Sequence, residues 1–156
     1  MKAHFLLFPF TGSIGALIQP QLTPAKVTLL RVEAHAFGET QDFTVTNDSI
    51  LVDKRTITEN GDKRIHYARA VTSQEHDDLL SSFNNVYLSS LKTSYEVNDA
   101  LTDDMTFDLF IHKGETVKYV RIYKYKLAPL YTFSKKLNRL LPPSFRIEYT
   151  DGYFSN

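Results

Sequence analysis

The chain of 156 residues contains no cysteine. That excludes disulfide staples, a thiol nucleophile, thiolate metal sites and lipid attachment at a cysteine. It leaves the compartment open, because a chain of this length can fold without staples. Net charge is also lacking: 18 Lys and Arg balance 18 Asp and Glu. The molecule as a whole therefore has no electrostatic bias towards nucleic acid or an anionic membrane. No apolar run approaches the roughly 20 residues that a membrane-spanning helix needs. There is no Gly-x-Gly-x-x-Gly or Gly-Lys-Ser/Thr phosphate loop and no Gly-x-Ser-x-Gly nucleophile elbow. The five histidines, His4, His35, His66, His76 and His112, include no His-Glu-x-x-His pair.

What is present is ordinary in amount and uneven in placement. The hydrophobic fraction is 42% and the charged fraction 23%, which suits one globular domain, and 9 Tyr with 11 Phe favour β structure. Between Asp62 and Lys113 stand nine acids and five bases; from Gly114 to Asn156, three acids and eight bases. The expected result is a dipolar surface made of two solvated faces, with a basic binding patch as the alternative.

Residues 1–26 read as a signal peptide or an irregular lead-in. Lys2 precedes an apolar run, Ala3–Phe10, and Ser13 and Gly15 stand as small residues before a cut at Ala16. The alternative is an ordered first strand with Phe5, Leu7 and Ile14 in the core. Pro20 and Pro24 mark the lead-in. Residues 27–150 form a single domain and 151–156 a tail.

Val27–Phe37 alternates as a strand, with Val27, Leu29, Arg31 and Glu33 on one side and Leu30, Val32 and Ala34 on the other. Asp42–Thr46 reads as a short alternating strand, Asn47-Asp48 as a turn or a bulge, and Ile50–Thr58 continues as strand. Asn60-Gly61 predicts a type I′ turn, so Ile50–Thr58 and Lys63–Val71 pair antiparallel. The strongest helix signal follows, over Ser73–Leu88. Thr72 and Glu75 have capping-box spacing, and Leu79, Leu80, Phe83, Val86 and Tyr87 make one apolar face. Ser89–Thr102 reads as irregular. Met105–His112 and Thr116–Lys124 form a second hairpin around Lys113-Gly114. Pro129 begins a helix whose stripe is Leu130, Phe133, Leu137, Leu140 and Leu141; Pro142-Pro143 ends it. Phe145–Tyr149 is expected as a last strand. The fold class is α+β, order βββα-ββα-β, with an antiparallel sheet of about five to six strands and two helices on one face.

Taken together, the strand before Thr72-x-x-Glu75, then Leu79, Leu80, Phe83 and Tyr95, the Asp-containing loop, and the hairpin with Ala128-Pro129 resemble small bacterial envelope proteins of Bacteroidota type whose function is uncharacterised. The resemblance spans about Ile50–Pro142. It implies the α+β fold and export, and it brings no catalytic residues. Many such proteins begin with a lipoprotein signal; this chain departs from them in lacking cysteine.

Glu96, Asp99, Asp103 and Asp104 are the candidate metal ligands, since clustered carboxylates suit Ca²⁺, although their spacing is not that of an EF-hand. A solvated loop is the competing reading. His66 and His112 lie on separate strands and could meet across the sheet, or serve only as polar strand residues. Lys118, Arg121, Lys124, Lys126, Lys135, Lys136 and Arg139 interleave with Tyr119, Tyr123, Tyr125 and Tyr131. That pattern fits single-stranded nucleic acid, but tyrosines packed on lysine stems fit it better. The expectation is a non-enzymatic binding or structural module of the envelope, periplasmic or exported, with no cofactor. Another protein would dock on the open sheet face at Tyr119, Arg121 and Tyr123, or at their strand neighbours on the opposite face, since alternation alone does not say which set points outward. The alternatives are a small inhibitor or immunity-type protein, and a metal-dependent or hydrolytic enzyme with a pocket lined by Glu96, Asp99, His66 or His112.

Overall fold

A computed structural model describes residues 25–97 and 105–151. The N-terminal run, its alternative strand, and Asp99, Asp103 and Asp104 lie outside these residues. Among the described residues seven strands form one sheet: β1 (Val27–Ala36), β2 (Glu39–Val45), β3 (Ser49–Thr58), β4 (Gly61–Ala70), β5 (Ser94–Glu96), β6 (Thr106–Lys113) and β7 (Thr116–Tyr123). Two helices, α1 (Ser73–Asn84) and α2 (Ala128–Leu140), follow the hairpins β3–β4 and β6–β7. The strand order is β4-β3-β2-β1-β6-β7-β5. Every neighbouring pair is antiparallel except β5, which runs parallel to β7.

The sheet is thus α+β and mostly antiparallel, but larger than five to six strands. The first added strand comes from Asn47-Asp48, which is a turn and not a bulge. Thr46 Oγ1 donates to Asp48 Oδ1 at 2.8 Å, and the Thr46 N–H bonds the Ser49 carbonyl at 2.9 Å. This reverses the chain, so β2 and β3 lie side by side. The second is β5, inside the stretch read as irregular, where three residues suffice to extend the β7 edge.

Period-two alternation places the core on one side of the sheet. Leu30, Val32, Phe43, Val45, Ile50, Val52, Phe107, Leu109, Ile111, Val120 and Ile122 are all buried there. Against them pack Leu79, Leu80 and Phe83 from α1, and Leu130, Phe133 and Leu137 from α2. The helices meet through an edge-on Phe83–Phe133 pair, with ring centroids 6.3 Å apart.

Val27 belongs to this buried side, contrary to the alternation expected for β1. The register with β6 shifts between Val27 and Leu29. Such a bulge turns the preceding residue to the opposite face.

The capping box forms as the spacing predicts. Glu75 N–H donates to Thr72 Oγ1 at 3.2 Å, and Thr72 N–H donates to Glu75 Oε2 at 2.9 Å. The helix stops at Asn84, short of Leu88. Tyr87 is 81% exposed, and Leu88 and Leu91 take the buried places beyond the helix end.

The turn at Asn60-Gly61 is not type I′. Thr58 pairs with Gly61, so Glu59 and Asn60 are the loop residues. Among the described non-glycine residues only Lys124 has positive φ, and Gly61 alone carries it here, at 107°. This matches a type I turn followed by a glycine bulge, the next commonest way to close a hairpin.

Phe145–Tyr149 is not a strand. Asn138 of α2 supplies both partners of Ile147: its side-chain N–H₂ donates to the Ile147 carbonyl, and its carbonyl accepts from the Ile147 N–H, each at 2.8 Å. The amide replaces a strand neighbour. The same segment buries Ile147 and Tyr149 completely enough to join the core.

Candidate functional site: the uncovered face of the sheet

The side chains pointing away from the helices fall into rows, because antiparallel registers set one residue of each strand opposite one of the next. The middle row runs His66, Asp53, Asp42, Glu33, Asp108, Arg121 and Ser94, from β4 across to β5. Four adjacent strands therefore place four carboxylates side by side. A second row holds Arg64, Arg55, Thr40, His35, Thr106, Tyr123 and Glu96. A third holds Ala68, Leu51, Thr44, Arg31, Phe110 and Tyr119.

Like charges directly opposite one another destabilise a sheet, and the face answers this with cations. Arg31 Nε and Nη2 both donate to Asp42 Oδ2, at 2.8 and 2.5 Å, and Nη2 also reaches Glu33. The Asp42 hydrogen bond, more than the burial that opposes it, raises the Arg31 pKa above its ordinary value. His66 Nδ1 contacts Asp53. Arg55 turns away to Asp62.

Asp108 is the most enclosed of the four, at 6% exposure. Burial pushes its carboxyl up, but hydrogen bonds from Arg121 and Tyr119 outweigh this and hold it below the usual range. Arg121 Nε and Nη2 donate to its two oxygens at 2.8 and 3.0 Å, a bidentate pair, and the Tyr119 hydroxyl donates at 2.7 Å. The Asp108 hydrogen bond in turn raises Arg121 strongly. Tyr119 is raised by burial and then by the adjacent carboxylate.

His35 stands between two of these acids. Its Nε2 is 3.3 Å from Glu33 Oε2 and 3.6 Å from Asp108 Oδ2. Together with Thr106 and Arg121 they line a shallow depression of about 360 Å³. A second depression of about 320 Å³ lies over Thr40, Asp42, Asp53, Arg55, Arg64 and His66. An aromatic pair borders the charges: Phe110 and Tyr119 have centroids 5.0 Å apart, with the Arg31 guanidinium 5.7 Å from the Phe110 ring.

The anticipated residues distribute as follows. Tyr119, Arg121 and Tyr123 all lie on the uncovered face, while Val120 and Ile122 between them are buried. Glu96 is at the β5 end of the second row, where its carboxylate accepts from Ser94 Oγ at 2.6 Å. His66 and His112 do not meet. They sit on β4 and β6 with three strands between, and His112 Nδ1 is 3.4 Å from Thr28 Oγ1. Glu96 and His66 are at opposite edges of the sheet, so no single pocket gathers them. The basic residues also divide between the two sides: Arg121 faces outward, whereas Lys136 of α2 bridges to Asp78 of α1 at 2.6 Å. Lys126 pairs with Asp151 at 2.9 Å.

Glu33, His35, Asp42, Asp53 and Asp108 were not singled out by sequence reasoning. The alternation of β1 and β6 does place Glu33 and Asp108 on polar sides. Only the register brings them into one line. Among the described residues no helix is long and apolar enough to cross a membrane. No protein-family model matches the chain, and no curated protein shows significant similarity to it.

Proposed function

We propose that the protein is a non-enzymatic binding module of the bacterial envelope that presents the uncovered sheet face to a partner protein. One observation carries the reading. Four carboxylates stand on one register line, where a face selected only for stability would alternate in sign. The Phe110–Tyr119 pair beside them supplies the aromatic component that protein interfaces favour. The partner surface it fits is cationic at its centre and apolar at one side. Export is supported by the basic, apolar, small-residue order of the N-terminal stretch and by the resemblance to envelope proteins.

The test is site-specific photo-crosslinking in a bacterial host, with the photoreactive residue at position 119 on the open face or at position 135 on α2. A partner captured from position 119, absent from 135 and lost on Glu33→Lys is the expected result. Equal capture from both faces, or none from 119, overturns the reading. The mass of the mature chain tests export separately: processing before Ala16 is expected, and an intact Met1 would refute it.

The Leu51, Phe110 and Tyr119 row favours one further reading, an inhibitor or immunity-type protein whose partner is a single enzyme. Capture of one enzyme, with loss of its activity in the complex, would select it.

A further inference from the structure

We infer that Glu33, His35 and Asp108 form a binding site for a divalent transition metal of the zinc class. The inference goes beyond the partner reading and does not rest on it. The three side chains come from two adjacent strands, Glu33 and His35 from β1 and Asp108 from β6. Residues i and i+2 of a strand share a face, and the register sets Asp108 directly across from Glu33. The fold thus delivers one imidazole nitrogen and two carboxylates to one spot. Each can offer one ligand atom such that all three lie within 4.8 Å of one another.

The distances suit a small tetrahedral ion. With zinc–nitrogen and zinc–oxygen bonds of about 2.0–2.1 Å, the edge of a tetrahedron is about 3.3–3.4 Å. His35 Nε2 lies 3.3 Å from Glu33 Oε2 and 3.6 Å from Asp108 Oδ2. Only the carboxylate–carboxylate edge has to close. Nitrogen with two carboxylates favours a borderline metal over Ca²⁺, which takes six to eight oxygens.

The cations near the three ligands do not fill the site: Arg31 divides its contacts between Glu33 and Asp42, and Arg121 holds Asp108 from the side away from His35. The surrounding groups also orient the ligands, as outer-sphere partners of metal carboxylates do. Arg121 and Tyr119 fix the Asp108 plane, and Arg31 holds Glu33. The depression above the three residues leaves room for one or two waters to complete the coordination.

The experiment titrates the purified chain with Zn²⁺ by calorimetry and with Co²⁺ by visible absorption, with Ca²⁺ and Mg²⁺ as controls. One Zn²⁺ per chain is expected, with a tetrahedral Co²⁺ band and no heat from Ca²⁺ or Mg²⁺. His35→Ala and Glu33→Gln should each weaken binding by about 10-fold or more, while His66→Ala, at the far end of the row, should leave it unchanged. Circular dichroism and a cooperative melt establish that each variant is folded. Should Asp108→Asn not fold, His35→Ala and Glu33→Gln decide. No heat and no Co²⁺ band with folded wild type at ~1 mM metal would overturn the site. So would wild-type affinity in His35→Ala, or equal loss in His66→Ala. Because the probe is the metal alone, failure here leaves the crosslinking result intact, and the reverse holds too.

Discussion

Glu33 on β1 stands directly opposite Asp108 on β6, two acids paired across the centre of the sheet face that neither α1 nor α2 covers. Asp42 lies opposite Glu33 on its other side, and Asp53 opposite Asp42. The arrangement costs stability wherever the neighbouring cations do not reach.

Asp53 is the acid for which relief should be measurable. Its side chain contacts the His66 ring, and it faces Asp42. Asp53→Thr removes one charge of the line and places a β-branched residue in a strand. We expect stability to rise by about 0.5 kcal/mol, read as a higher urea midpoint at unchanged slope. A lower midpoint would mean that the row holds the sheet together.

Stability should depend on acid in a defined direction. Asp108 is held below the ordinary range because the Arg121 and Tyr119 hydrogen bonds outweigh its burial. Glu75 is lowered by the Thr72 N–H and then by Arg69. A carboxyl with a depressed folded pKa contributes stability above its unfolded value, near 4, and loses it as pH falls through the folded value. Urea midpoints should be level from about pH 7 to 5 and drop below about pH 4. Asp108→Asn should remove part of that drop. A midpoint constant down to pH 3 would contradict the assignment.

The cap of α1 is open to a simple test. Thr72→Ala deletes the hydroxyl that accepts from Glu75 N–H. The expected loss is about 1 kcal/mol, with Thr72→Ser close to wild type. Equal stability of Thr72→Ala and wild type would show that the helix does not depend on the box.

Tyr149 closes the far side of the core. Its hydroxyl donates to the Tyr125 carbonyl at 2.5 Å and accepts from Leu127 N–H at 2.7 Å, while its ring meets Phe107 edge-on at 4.8 Å. Tyr149→Phe keeps the ring and removes both of these bonds, leaving the Tyr125 carbonyl and the Leu127 N–H their mutual bond at 3.1 Å. A loss of about 1 kcal/mol is expected, by denaturant titration. A loss below about 0.3 kcal/mol would show that the hydroxyl adds nothing to that pair.

Leu80 is fully buried beneath α1. Leu80→Asp puts an unpaired charge there, at a cost of several kcal/mol. The expected outcome is loss of the cooperative melt. A folded variant by circular dichroism would refute the packing of α1 on the sheet.

The local elements are legible in the chain because each rests on near neighbours. Thr72 and Glu75 are three residues apart, and the box follows. Alternation in Met105–His112 assigns Phe107, Leu109 and Ile111 to one side regardless of what covers them. The failures also have local causes. Val27 was misassigned because a bulge resets parity. Phe145–Tyr149 has the residues of a strand, but Asn138, in α2, supplies the bonds a strand neighbour would make. Tertiary structure alone decided which acids meet. Glu33 and Asp108 are 75 positions apart in the chain, and nothing in either neighbourhood encodes the other. Register is a property of paired strands, since a slip of one residue exchanges the two faces. The buried Leu30, Val32, Leu109 and Ile111 choose it, by needing the helices on their side. The line of carboxylates on the open face is what that choice leaves outside.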